Sequence, residues 1–196
     1  MLKSLTLIII SLLTLNTTAQ NSIIEQVNNY LDSKNTFTEE VIYVSIKKQK
    51  LYHIQNNQII KEYIISSSAY GIGSKAGSNK TPIGLHSVRE KYGDKTPING
   101  IMVARVFYGN IATIYDDETK SKTDDITSRI LWLEGLEKGK NKGKGIDNFN
   151  RYIYIHGTPE EGRLGRPASH GCIRMKNKEV IDLYKLVEVG TLVLIL

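Results

Sequence analysis

A histidine closing an apolar strand, a cysteine sixteen residues later and an arginine two beyond it have types and spacing that suit chemistry. A free thiol has a pKa of about 8.5, so it attacks a carbonyl only where a neighbour favours the thiolate. A histidine in hydrogen-bond reach can take the proton, a further group can orient that histidine, and backbone N–H groups can meet the oxyanion that forms. His156 ends R-Y-I-Y-I-H and is followed by Gly157, and Cys172 lies inside S-H-G-C-I-R. Gly171 permits a tight turn before the cysteine, which would present the N–H groups of Gly171 and Cys172 to a substrate oxygen. If residues 172–174 are extended, Arg174 points to the same side as Cys172, where a guanidinium can hold a carboxylate bidentately.

Cys172 is the only cysteine. It is an intermolecular half-disulfide, a buried apolar filler or a reactive thiol. Its place between Gly171 and Arg174 favours the thiol. His156, His170 and Cys172 would also suit zinc, as two imidazoles and a thiolate, but a clear fourth ligand is missing. A papain-like peptidase places its cysteine early and its histidine far downstream, the reverse of the order here.

The H-G-T of 156–158, a gap, and the S-H-G-C-I-R-M of 169–175 resemble the signature of the L,D-transpeptidase (YkuD-type) catalytic domain. The upstream T-P-I-G of 81–84 resembles that family's T-P-x-G turn, and the resemblance covers about residues 41–196. It implies a mainly β fold, an L,D-transpeptidase-type β-sandwich with one or two short helices, and no metal or organic cofactor. Carried over by position, Cys172 is the nucleophile and His156 the general acid/base, oriented by the carbonyl of Gly157. His170 would line the site as part of the catalytic set, and Gly171 and Cys172 would supply the oxyanion hole. Arg174 would bind a carboxylate of the peptide stem, with Ser169 supporting the loop on the substrate side. His86 stands where an aromatic residue is common and would shape the substrate cleft. The implied partner is the peptidoglycan stem peptide. Cys172 would displace D-alanine from a tetrapeptide stem, and the side-chain amine of another stem would take the acyl group, giving a 3-3 cross-link. An L,D-carboxypeptidase would use the same thioester with water as acceptor.

The elements that must position these groups are legible in outline. Lys3, the apolar run 5–15 and Ala19 read as a signal peptide over 1–19, too short an apolar stretch to span a bilayer. The only cysteine is far from this leader, which argues against a lipoprotein. The expectation is an exported monomer in the periplasm or cell-wall space, with no stable membrane anchor after cleavage. A net charge of +6 carries no nucleic-acid motif and suits a polyanionic wall. Residues 20–38 are expected to form an N-terminal helix, centred on 22–31, and a linker, before a catalytic domain over 39–196. Runs at 41–46, 51–54 and 59–66 predict a three-stranded meander, followed by a Gly/Ser-rich loop at 70–80. Further strands are expected at 101–108 and 151–156, and 126–133 is strand or helix. The lysine-rich loop 138–145 is expected to be solvated. His53 reads as a surface strand residue, and Arg129 and Trp132 as candidates for groove lining, the tryptophan more naturally core. Asn177 can cap a helix over 177–187, and 191–196 reads as a buried final strand.

Overall fold

The structure, a computed structural model, describes residues 20–196. The expected leader over 1–19 lies outside the described residues. Strands β1 (Glu40–Ser45), β2 (Lys50–Gln55) and β3 (Gln58–Ser66) form the expected antiparallel meander. The turn between β2 and β3, Asn56-Asn57, has positive φ at both residues, 49° and 58°, a backbone that asparagine tolerates better than most side chains. The chain continues through β4 (Gly84–Tyr92), β5 (Gly100–Val103), β6 (Val106–Ile111), β7 (Thr127–Gly135), β8 (Tyr154–Gly157) and β9 (Ile173–Met175). Helix α2 (Asn177–Leu186) and strand β10 (Leu192–Ile195) end it. Pairing runs β4-β10-β1-β2-β3-β9-β8-β7, and β4 also pairs with β7. The two layers of this β-sandwich therefore share their edges, which leaves few unpaired strand backbones to solvent.

Between the layers lies one apolar cluster, including Ile42, Val44, Leu51, Ile65, Leu131, Leu133, Ile155, Ile173 and Met175. Val180, Leu183 and Tyr184 of α2 join it, at the spacing of one helix face. A second cluster sits outside β1, β2 and β10. There Ile23, Val27 and Leu31 of a helix over 20–32, here α1, pack on Val41, Tyr43, Tyr52, Ile54 and Leu194. Burial of each such aliphatic side chain is worth about 1.5–3 kcal/mol, which holds α1 to the sheet. Covered on both sides, β1 is buried at five consecutive positions rather than alternating.

Several sequence expectations change in detail. The single strand expected over 101–108 is a hairpin, β5–β6, turned by Ala104-Arg105 at φ 48° and 71°. No glycine or asparagine marks that turn, and each left-handed residue costs about 1–2 kcal/mol. Residues 126–133 resolve as strand β7. The strand expected over 151–156 is shorter, because Tyr152 has φ 57° and breaks the extended run. The lysine loop is folded around Asn141, which is fully buried and bonds Ile83 O, Leu85 O and the Glu137 N–H. Glu137 also accepts from the Leu85 N–H and Tyr30 Oη and pairs with Lys34, tying α1 to this loop. His53 is buried, not exposed, and bonds Glu40 at 2.6 Å. The helix-capping position belongs to Lys176, without a side-chain cap, while Asn177 is buried one residue on.

Candidate active site

Strands β8 and β9 run parallel with His156 opposite Arg174 and Ile155 opposite Ile173. Side chains alternate between faces of a strand, so Tyr154 and His156 share a face, as do Cys172 and Arg174 if the chain is extended there. Cys172 Sγ sits over the start of β8. It accepts from the Tyr154 N–H at 3.4 Å and donates to the Tyr152 carbonyl at 3.3 Å. His156 Nδ1–H donates to the Gly157 carbonyl at 2.7 Å, the contact expected of that pair. This bond fixes the tautomer and leaves Nε2 as the acceptor nitrogen of a neutral ring. Among the described residues no hydrogen bond joins Cys172 to His156.

The position of His156 is fixed from below. Asn177 Nδ2 donates to Thr158 O and Glu161 Oε1, and its Oδ1 accepts from the hydroxyls of Thr127 and Ser128. The side chain expected to cap α2 thus joins β7 to the end of β8. Glu161 takes over the capping work by accepting from the Asn177 N–H at 2.8 Å. Gly157 has no room for a Cβ, which would lie 2.7 Å from the Thr127 carbonyl and 2.6 Å from Asn177 Oδ1.

The loop that presents the cysteine is clamped by two hydroxyls. Ser169 Oγ donates to the Cys172 carbonyl at 2.6 Å and accepts from the Gly171 N–H at 3.2 Å. Thr81, first residue of T-P-I-G, donates to the Gly171 carbonyl at 2.9 Å and accepts from the Ser68 N–H. Gly171 itself has φ 128°, a conformation that favours glycine. Of the two donors expected for an oxyanion, the Gly171 N–H is therefore already engaged. The N–H of Cys172 has no partner among the described residues. Ser169 holds the loop through these bonds and is buried, 1% exposed.

Arg174 differs more from its expected role. It is 1% exposed, and its Nη1 pairs with Glu160 at 2.8 Å while its Nη2 pairs with Asp124 at 2.5 Å. Glu160 is also buried and accepts from the N–H and hydroxyl of Ser121. Asp124 accepts a second bond from His170 Nδ1 at 2.6 Å. Burial opposes ionisation of Asp124, but the Arg174 guanidinium and the bonds from His170 and Arg174 hold its carboxyl below the usual carboxylate range. Asp124 belongs to none of the motifs read from the sequence. Its loop is laid across 159–162 by Tyr115 and Ser121, and only that crossing brings it to His170. His170 is half-exposed and faces the Tyr70 ring at 5.7 Å.

His86 is not in the cleft. It is a fully buried residue of β4, with Nδ1 bonded to Gly84 O and Nε2 to the Asn148 amide at 2.6 Å. Its shape still matters, since Asn148 also contacts Arg151, whose guanidinium holds the carbonyls of Gly73 and Lys80. Arg129 is also remote from a groove, with its guanidinium bonded to the carbonyls of Asp94, Thr96 and Ser128. Trp132 is buried in a third cluster with Met102, Ile130 and Tyr154, against which Cys172 packs. It stacks on Phe149 at 4.0 Å and meets Tyr154 edge-on at 5.5 Å. Among the described residues no group of three or more His, Cys, Asp or Glu is arranged to hold a metal ion.

Burial controls the protonation of the site. Although Cys172 is only partly buried, the protein around it pushes its thiol up to about 12 by desolvation, with Asp124 acting in the same direction and the Tyr154 N–H, Arg174 and Arg151 against it. Burial pulls His156 down to about 4, against the opposing effects of Asp124 and the Gly157 bond. His86 is likewise lowered to about 4 by burial. An unfolded chain binds protons at both histidines below about pH 6.5, whereas the folded chain resists until about pH 4. Their stabilisation is therefore complete above pH 6.5 and is lost as pH falls through that window, by about 2 kcal/mol each at pH 5. The urea midpoint should fall between pH 7 and pH 5, and less so in His86→Asn than in wild type. An unchanged pH dependence in that variant would remove His86 from this account.

The L,D-transpeptidase catalytic domain (YkuD) family model matches residues 39–195. The putative L,D-transpeptidase YqjB of Bacillus subtilis is 50% identical over 52 residues, 26% of this chain and 28% of that protein. The putative L,D-transpeptidase YkuD of the same organism is 51% identical over 41 residues, 21% of this chain and 25% of that protein. The matched stretches thus span about a quarter of these relatives. A solved Enterococcus faecium L,D-transpeptidase, a C442S mutant, has a TM-score of 0.50 at 17% identity, over 82% of this chain and 50% of that one. An L,D-transpeptidase from Mycobacterium smegmatis has a TM-score of 0.48 at 16% identity, over 82% of this chain and 60% of that one. At 17% identity the likeness to the Enterococcus faecium structure is one of fold alone.

Proposed function

From the premise that this chain belongs to the L,D-transpeptidase catalytic-domain family, we propose that it cross-links peptidoglycan stem peptides by acyl transfer through Cys172. The observation that carries this reading is the Gly157-bound His156, whose Nε2 remains free to accept a proton next to the strand that holds the thiol.

The proton leaves sulfur as the carbon–sulfur bond forms, because burial disfavours both a resting thiolate and a resting imidazolium. For this the thiol turns from the Tyr152 carbonyl to His156 Nε2. Sulfur adds to the carbonyl between the diamino acid and the terminal D-alanine of a tetrapeptide stem. The Cys172 N–H meets the oxyanion, and the Gly171 N–H joins it only if Ser169 Oγ releases it. Collapse breaks the amide, His156 returns its proton to the departing amine, and D-alanine leaves a thioester. The side-chain amine of a second stem then adds to the thioester, passing its proton to His156. The thiol is restored as the new amide forms, giving a 3-3 cross-link. No metal or organic cofactor enters these steps. Lys3, the apolar run 5–15 and Ala19 support export to the periplasm or cell-wall space, with a mature terminus near Gln20. N-terminal sequencing of native protein tests that placement.

The function is tested by incubating the protein with a disaccharide-tetrapeptide and reading product masses. Dimers lacking one D-alanine are expected. Trimmed tripeptide monomers without dimers would make the protein an L,D-carboxypeptidase.

A further inference from the structure

We propose that Arg105, at the turn of the β5–β6 hairpin, receives the terminal carboxylate of the donor stem, in the place expected of Arg174; this rests on the stem-peptide reading above.

Arg174 is poorly placed for the task. Both of its Nη groups are committed to the carboxylates of Glu160 and Asp124, and the side chain is 1% exposed. A third carboxylate would have to displace a buried one, leaving a charge without a partner. Arg151, the other guanidinium near the sulfur, spends its Nη groups on the carbonyls of Gly73 and Lys80 and on Asn148.

Arg105 is differently placed. Its guanidinium lies 4.5 Å from the centre of the Trp132 ring and 5.8 Å from that of Tyr152. One N–H donates to Tyr154 Oη at 3.2 Å, and Tyr92 also lies beside the guanidinium, its ring centre 5.7 Å away. Tyr152 and Tyr154 are also the residues whose backbone carbonyl and N–H hold Cys172 Sγ. The same two tyrosines therefore touch both the thiol and the guanidinium. A guanidinium lying on an aromatic face keeps the N–H groups of its edge available for bidentate recognition of a carboxylate. The leaving D-alanine carries its carboxylate next to the amide nitrogen that must pass close to the sulfur.

The backbone at this turn points the same way. Ala104 and Arg105 both hold positive φ without a glycine or asparagine, a strain that persists only where the surroundings impose it. Here the surroundings are the two-residue turn of the β5–β6 hairpin, which favours positive φ at both positions and holds the Arg105 side chain over the Trp132 ring.

The test uses full-length mature protein carrying Cys172→Ala, so that binding is read without turnover. Calorimetry compares a tetrapeptide stem with the same stem bearing a C-terminal carboxamide. The parent should prefer the carboxylate by at least about tenfold, the range of a charge-assisted pair. Arg105→Gln should abolish that preference while leaving carboxamide binding within about threefold, and Arg105→Lys should restore part of it. Equal weakening of both peptides by Arg105→Gln, or an undiminished preference, would overturn the assignment. Equal binding of both peptides to the parent would overturn it too, with the stem-peptide reading intact. Binding of neither peptide would bring down that reading as well.

Discussion

Cys172→Ala will reduce dimer formation from tetrapeptide stems by at least about a thousandfold, to the background of uncatalysed transfer. The chain has no second thiol to take over, so nothing else in the site can form a thioester. The fold should survive, because the sulfur is at the margin of the aromatic cluster and makes only two weak backbone contacts. A thermal midpoint within about 4 °C of wild type is expected, the shift of roughly 1 kcal/mol in a domain of this size. Product masses and a melting curve on one preparation decide the matter. Dimers persisting at more than a few per cent of the wild-type rate would mean that another group carries the acyl chain.

The free enzyme should alkylate slowly at neutral pH, at least about tenfold slower than a free cysteine, with reactivity still rising above pH 9. The residue types alone favour the opposite result, a thiolate–imidazolium pair reactive well below pH 8. Two findings reverse it. Burial raises the thiol and lowers the imidazole, so both shifts favour the neutral pair. In addition, the thiol proton is directed at the Tyr152 carbonyl, not at His156. A raised thiol pKa means less thiolate at any given pH below it, which slows alkylation across the neutral range. His156→Ala should therefore change the alkylation profile by less than about threefold while lowering turnover by at least about a hundredfold, the usual contribution of a general base. Rapid alkylation at pH 6 that disappears in His156→Ala would show an ion pair at rest and defeat this account.

The sequence by itself determined the β class of the protein, the meander over β1–β3 and the α1 and α2 faces, while the pairing of His156 with Gly157 was implied by the family resemblance. These are local matters, set by side-chain period, turn chemistry and a bond between adjacent residues. It also singled out Cys172, because one thiol in a glycine-bounded loop is informative in any fold. What tertiary structure decided is where charge goes. Arg174 sits two residues from the cysteine, but its guanidinium is taken by Glu160 and by Asp124, which lies 50 residues away in the chain. His86 stands where the family resemblance implies a cleft residue, yet packing buries its side chain within β4 beside Asn148. Asn177 has the type of a helix cap and instead bonds β7 to β8. The turn at Ala104-Arg105 carries no turn residue, so the hairpin and its arginine were invisible until the aromatic cluster formed beneath them. In each case a side chain's local preference is worth about a kilocalorie per mole, whereas an unpaired buried charge or polar group costs several, and burial is a property of the assembled layers.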